Sequence, residues 1–192
     1  MKYEIADIRH LPKDIGELCR EEATERQVER YVSEEAKKRT LLGIYTAKQL
    51  LSRQLGKPPA ALKLAYTAEG KPYLPQSSVQ VSISHSGQKV LCAVHDGPVG
   101  ADIEEIKPFD LRLVRKICTE EERAYIGENS IRFFSVWTAK EAYLKLTGLG
   151  LRGGIKTVET ASQTLYTHVR GYRLRNFLYQ GYVCAIVYEH RD

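Results

Sequence analysis

Apolar residues fall into two kinds of pattern along this chain, and each kind predicts an element. Leu41, Leu42, Tyr45 and Leu51 recur at helical spacing before Gly56 and the Pro58-Pro59 break, which predicts an amphipathic helix and its end. Val79, Val81 and Ile83 then alternate with polar residues, and Val90 to Val94 is a continuous apolar run. These predict two strands joined by Ser84-His85-Ser86-Gly87-Gln88-Lys89. Later in the chain, residues 132–147 read as a second helix, Tyr182 to Tyr188 as a strand, and Val99-Gly100-Ala101-Asp102-Ile103-Glu104 as a strand entered from a glycine. Helix followed by strands in each half predicts an α+β protein, with helices packed on mainly antiparallel sheets.

The halves also resemble each other. Tyr45-Thr46-Ala47-Lys48-Gln49-Leu50-Leu51 is similar to Trp137-Thr138-Ala139-Lys140-Glu141-Ala142-Tyr143, a shift of 92 residues (45 to 137). The same shift maps Gly56 onto Gly148, and Leu91-Cys92-Ala93-Val94 onto Val183-Cys184-Ala185-Ile186. One spacing linking a helix, its stop and a strand points to an internal duplication. The turn residues Asp96-Gly97-Pro98 set the boundary, so subdomains 1–97 and 98–192 are expected, related by a pseudo-twofold axis with one cleft between them. Gln49 falls opposite Glu141 in this alignment, so the first half is expected to hold no matching acidic site.

Composition narrows the classes. With 43% hydrophobic and 28% charged residues, the chain has the make-up of a folded globular protein rather than a disordered one. Its apolar runs fall far short of the roughly 20 residues that span a bilayer. The opening Met1-Lys2-Tyr3-Glu4-Ile5 lacks the apolar stretch of a signal peptide, so no membrane association and a cytoplasmic location are expected. Cys19, Cys92, Cys118 and Cys184 are scattered, which suits buried free thiols rather than disulfides or a zinc knuckle. A net charge of +5 suits an anionic partner. Without dense Lys/Arg runs interleaved with aromatics, nucleic acid is not the expected one.

Asp102 and Glu104, two apart on a strand, share one face, and paired carboxylates suit a hard divalent cation such as magnesium. A solvated strand face would look the same in isolation. Glu141 and Lys145, four apart on a helix, also share a face. An exposed stabilising ion pair would explain them, except that Val136, Trp137, Ala139, Ala142, Tyr143, Leu144 and Leu146 make the helix apolar over much of its girth. Gly70-Lys71-Pro72 presents a lysine from a stiff turn. Ser84-His85-Ser86-Gly87, at a strand end, offers hydroxyls, imidazole and backbone N–H groups to phosphate. Arg39-Thr40, at the start of the first helix, is a further phosphate candidate. Taken singly, the first two read as plain turns, whose usual residues these are, and a solvated helix face explains Arg39-Thr40 equally well.

Together these segments resemble the Sfp-type phosphopantetheinyl transferases. The order Gly70-Lys71-Pro72, Ser84-His85-Ser86, Gly100-Ala101-Asp102-Ile103-Glu104 and Trp137-Thr138-Ala139-Lys140-Glu141-Ala142-Tyr143-Leu144-Lys145 is similar to that family's. The last two match its signature blocks, Gly-x-Asp-x-Glu and Trp/Phe-x-x-Lys-Glu-Ala/Ser-x-x-Lys. The resemblance implies a monomeric enzyme of two similar subdomains that moves the phosphopantetheine arm of coenzyme A to a serine of an apo acyl or peptidyl carrier protein, releasing adenosine 3′,5′-bisphosphate. It implies Asp102, Glu104 and Glu141 around magnesium and Lys145 on phosphate, with Glu141, directly or through a metal-bound water, expected to accept the serine proton. It further implies Arg39, Thr40, Lys71, Ser84 and His85 at the adenosine and phosphate end of coenzyme A. The basic residues that family members carry before the Arg-Thr pair have Arg26 and Arg30 as their nearest counterparts. A nucleotide triphosphate phosphotransferase is the rival enzyme class, but Gly-x-x-x-x-Gly-Lys-Ser/Thr is absent. The other rival is a non-enzymatic module that binds carrier proteins or RNA through its basic surface.

Overall fold

The computed structural model describes residues 1–148, 150 and 154–190. It divides into two compact units, Met1–Gly97 and Pro98–Asp192. The first begins with strand β1 (Lys2–Asp7) and short helices α1 (Ile15–Leu18) and α2 (Arg20–Glu25), followed by the long helix α3 (Glu34–Leu55). Strands β2 (Ala65–Tyr66), β3 (Pro72–Tyr73), β4 (Gln80–Ser86) and β5 (Lys89–His95) complete it. The sheet has the order β1-β5-β4-β3-β2, antiparallel throughout. Leu42, Ile44, Ala47, Leu50 and Leu51 of α3 pack on Val81, Val90, Cys92 and Val94 of the sheet. The helix approaches closely at Gly43, where a Cβ would stand 2.8 Å from Ile83 Cγ2.

Two expectations need correction here. Helix α3 does not start at Arg39-Thr40 but at Glu34, where the Ser33 side chain caps it by accepting from Ala36 N at 3.3 Å. Its first turns are solvent-facing and polar, so apolar periodicity gives no sign of them, whereas the Ser cap followed by Glu34 and Glu35 does. The segment 84–89 is not a connecting loop either. Strand β4 runs on through Ser86, paired with Lys89, and the turn is only Gly87-Gln88. Gly87, at φ +52, occupies the first loop position of a two-residue hairpin, where a positive φ matches the twist of the strands.

The second unit contains β6 (Val99–Glu105), α4 (Leu111–Ile117), α5 (Glu120–Ile126), the long helix α6 (Ser130–Thr147), β7 (His168–Val169), β8 (Tyr172–Tyr179) and β9 (Tyr182–Tyr188). Its sheet order is β6-β9-β8-β7, again antiparallel. Helix α6 is capped by Asn129, which accepts from Arg132 N at 3.1 Å, and ends at Gly148 with φ +75. Helix α5 carries a reciprocal capping box between Thr119 and Glu122. Each unit is thus an α-helical layer on an antiparallel sheet, the α+β class expected. All four cysteines are buried free thiols. No helix among the described residues is long and apolar enough to cross a membrane.

The units share a topology, but the repeat is not one constant shift. On the helices 92 holds: α3 ends at Gly56 and α6 at Gly148, both left-handed. On the hairpins the shift is 93, since Gln80↔His95 corresponds to Arg173↔Tyr188 (80 to 173, 95 to 188). The alignment of Cys92 with Cys184 is therefore wrong by one residue. A slip of one on a strand exchanges its faces. Cys92 Sγ lies on the α3 side, 3.4 Å from Gly43 O, while in β9 the α6-side clusters take Val183, Ala185 and Val187 instead. By pairing position Ala185 replaces Cys92, so Glu4, opposite Cys92, corresponds to Asp102, opposite Ala185.

Candidate active site

Strand β6 and helix α6 are brought together by a missing side chain. A Cβ at Gly100 would lie 1.9 Å from Ala142 O and 2.4 Å from Leu146 N, both backbone atoms, so only glycine lets the helix lie this close. Gly100, Asp102 and Glu104 alternate onto the same strand face, and α6 answers each in turn. Ala142 and Leu146 cover Gly100. Lys145 Nζ donates to Asp102 Oδ1 at 2.6 Å, and Trp137 Nε1 donates to Glu104 Oε1 at 3.4 Å. The Asp102 side chain is 4% exposed and that of Lys145 31%, so the pair lies at the edge of the buried region with the ammonium reachable from solvent.

Glu141 completes the group. It is half-buried, and its Oε1 is buried with no hydrogen-bond partner. Burial pushes its carboxyl above the ordinary carboxylate range; Asp102 and Glu104 push the same way and Lys145 opposes them. Three carboxylates and one ammonium therefore act on a common region of the β6–α6 face. Lys145 binds the strand carboxylate across the interface, which explains why it lies on an otherwise apolar helix better than an exposed helical ion pair would. Among the described residues no three acidic, histidine or cysteine side chains stand together as a ready metal cage.

In the first unit, Arg39 NH1 donates to Gly87 O at 3.0 Å and lies 3.7 Å from Glu35. That fixes Arg39 at the β4–β5 turn. His85 shares the β4 face of Val81 and Ile83, the face packed on α3, and is exposed. Ser84 is on the opposite face and 6% exposed. Strand alternation thus separates Ser84 from His85, contrary to the loop expected, and leaves His85 on the same face as the helix that carries Arg39. Thr40 follows Arg39 on α3 and is half-buried. Lys71 sits in the turn before β3, where Gly70 N donates to Thr67 O at 2.9 Å; burial lowers its ammonium below the usual lysine range. Arg26 stacks over the Tyr66 ring, 4.4 Å from its centroid, and Arg30 donates to Gln27 Oε1 at 2.7 Å.

Trp137, set against Glu104 by the structure, is a site residue that apolar patterning alone assigns to the core. Its position four residues before Glu141, and so on the same helix face, was the available signal. The role of Lys140 was equally unread. It is fully buried and bonded to Glu122 at 2.8 Å, away from the carboxylates.

The 4′-phosphopantetheinyl transferase superfamily model matches residues 98–187, and the model of the 4′-phosphopantetheinyl transferase N-terminal region matches residues 15–96. The chain is 36% identical over 126 residues to the 4′-phosphopantetheinyl transferase psf-1 of Bacillus pumilus, covering 62% of this chain and 54% of that protein. It is 31% identical to the 4′-phosphopantetheinyl transferase Sfp of Bacillus subtilis (64% and 57% covered). With the 4′-phosphopantetheinyl transferase HetI of a Nostoc species it shares 34% (64% and 56% covered). The chain spans just over half the length of these relatives.

Proposed function

Because this chain belongs to the 4′-phosphopantetheinyl transferase superfamily, we propose that it transfers the phosphopantetheine arm of coenzyme A to a serine of an apo carrier protein. The observation that carries this reading is the β6–α6 face, where Lys145 is held on Asp102 at 2.6 Å beside the buried, unbonded Glu141 Oε1. A cation next to a carboxylate of raised proton affinity suits phosphoryl transfer to a hydroxyl, which depends on charge neutralisation and positioning.

The reaction balances simply. The serine hydroxyl attacks the β-phosphorus of coenzyme A, its proton passes to Glu141, and the bond to the departing adenosine 3′,5′-bisphosphate breaks. Lys145 neutralises charge on the phosphoryl oxygens. In the first unit, Lys71, Arg39, Thr40 and His85 are assigned to the adenosine and phosphate end of coenzyme A, with Ser84 assisting through its strand position. Asp102, Glu104 and Glu141 fit magnesium as an all-carboxylate donor set that includes the buried, unbonded Glu141 Oε1, suited to an ion shared with substrate phosphates rather than caged by protein alone. When bound, that ion would supply positive charge to the pyrophosphate.

The test is incubation with coenzyme A, magnesium and a panel of apo carriers, followed by weighing each carrier. A mass gain of one phosphopantetheine is expected, and no gain on any carrier would sink the reading. Asp102→Asn and Glu104→Gln keep the side-chain volume while removing a negative ligand, so both should weaken the magnesium dependence of turnover far more than they alter folding. Asp102→Asn also gives up the charged hydrogen bond to Lys145, expected to cost about 1–2 kcal/mol in thermal or denaturant melting. Unchanged turnover in both variants would remove these two residues from the site.

A further inference from the structure

Among the described residues, each unit buries one lysine–glutamate pair, and the two lysines are the repeat partners Lys48 and Lys140. Lys48 Nζ donates to Glu22 Oε1 at 2.8 Å and to Leu18 O at 2.7 Å, and Glu22 Oε1 also accepts from Leu64 N at 3.1 Å. Lys140 Nζ meets Glu122 Oε2 at 2.8 Å and donates to Ile155 O at 3.2 Å and Val158 O at 2.5 Å. Glu122 in turn accepts from Thr119 N at 3.0 Å, Thr160 N at 2.9 Å and Thr160 Oγ1 at 3.0 Å. A buried ion pair is weak evidence for stability, because desolvation offsets its attraction. Its presence at the same helix position in both units therefore calls for another account.

We propose that Lys140 and Glu122 are a positioning pair for the transfer reaction: they fix the rotation of α6 about its own axis, and with it the place of Glu141 and Lys145 over β6. This rests on the transferase reading above. Two restraints are needed to place a helix on a strand. Gly100 supplies the approach distance, but a glycine has no side chain to key into the helix, so it leaves rotation and sliding less determined. Lys140 supplies the second restraint. All three of its ammonium donors have acceptors, on α5 and in the 155–158 segment, so its direction from the helix axis is held. Trp137, Glu141 and Lys145, spaced by four, lie on one face, and Glu141 is about 100° round from Lys140. A helix rotation of about 20° at a side-chain radius of ~5–6 Å moves the Glu141 carboxylate by roughly 2 Å. Misplacement of about 1 Å already costs on the order of 100-fold in rate.

The first unit provides the matched control. Its positions equivalent to Glu104 and Glu141 are Ala6, opposite Val90 where Glu104 is opposite Val183, and Gln49. The Lys48–Glu22 pair thus holds α3 in a helix–strand interface that lacks both acids, one on the strand and one on the helix.

The chain has a single tryptophan, and because Trp137 contacts Glu104 across the β6–α6 face, its emission reports α6 placement without any assay of activity. Both partners are changed together, since removing one would strand a buried charge. Lys140→Met with Glu122→Gln should shift the Trp137 emission maximum in the ligand-free protein. The same variant should lower kcat about 10- to 100-fold and, because Lys145 moves with α6, also raise KM for coenzyme A, both measured well below its melting temperature. Lys48→Met with Glu22→Gln should lower the melting temperature comparably and leave emission unchanged; because α3 carries Arg39 and Thr40, its effect on turnover should fall on KM for coenzyme A rather than on kcat. Wild-type emission and kcat in the Lys140/Glu122 variant, or equal effects from the two pairs, would overturn the proposal. If that variant does not fold, Thr160→Val, which removes one bond to Glu122, decides: a smaller shift and loss of the same kind support the proposal, wild-type values overturn it. A wild-type protein inactive on every carrier would sink the transferase reading while the emission arm still decides whether the pair sets α6.

Discussion

Gly100→Ala is expected to destabilise the protein by about 3 kcal/mol or more and to abolish turnover. The added methyl would overlap the Ala142 carbonyl oxygen and Leu146 nitrogen. These are backbone atoms in the C-terminal turns of α6, so relief requires moving the helix rather than turning a side chain. Overpacking costs about 1–3 kcal/mol where neighbours can shift, and here they cannot. At about 2–4 °C per kcal/mol for a chain of this size, the melting temperature should fall by roughly 6–12 °C. Gly43→Ala is the comparison. There the methyl meets side-chain atoms, the branched Cγ2 methyl of Ile83 at 2.8 Å and Val90 Cγ1 at 3.6 Å, an overpacking of about 1–3 kcal/mol that alanine's gain of about 1 kcal/mol in helix propensity partly offsets, so that variant should lose clearly less than Gly100→Ala. Similar losses in both would mean that the approach of α6 to β6 is not the constraint argued from Gly100.

Glu141→Gln should lower kcat by about 10²–10⁴-fold while coenzyme A affinity falls much less, because the amide keeps the shape and cannot take the serine proton. Lys145→Ala should damage both, since the proposed mechanism sets its charge against the phosphates. The glutamine variant should also melt at or above the wild type when no divalent ion is present. Burial and the neighbouring carboxylates raise the proton affinity of Glu141, so its ionisation is less favourable in the folded protein than in the unfolded one. The stability carried by the protonated form is complete below the ordinary carboxylate range and is lost as pH rises through the raised value. The difference between variant and wild type should therefore vanish in acid and open toward neutral pH. Equal modest losses in rate and affinity, with a lowered melting temperature, would instead make Glu141 a member of a stabilising ion pair.

What the sequence determined by itself was local. The i, i+2 spacing of Asp102 and Glu104 on a strand and the i, i+4 spacing of Glu141 and Lys145 on a helix put each pair on one face, because those periods follow from backbone geometry alone. Alternation in β4, the apolar run of β5 and the glycine stops of α3 and α6 are legible for the same reason. The tertiary structure decided whatever depends on register and on which faces meet. It set Lys145 on Asp102, brought Trp137 to Glu104, and turned Lys140 away from Glu141 into a buried pair with Glu122, although the two residues are adjacent in the chain. It also moved the repeat from 92 to 93 between helix and hairpin, so that Cys92 and Cys184, matched as letters, lie on different faces of their strands. A one-residue difference in a connecting segment carries no signal of its own in a single sequence. It becomes visible only when a strand must choose which of its two faces to bury.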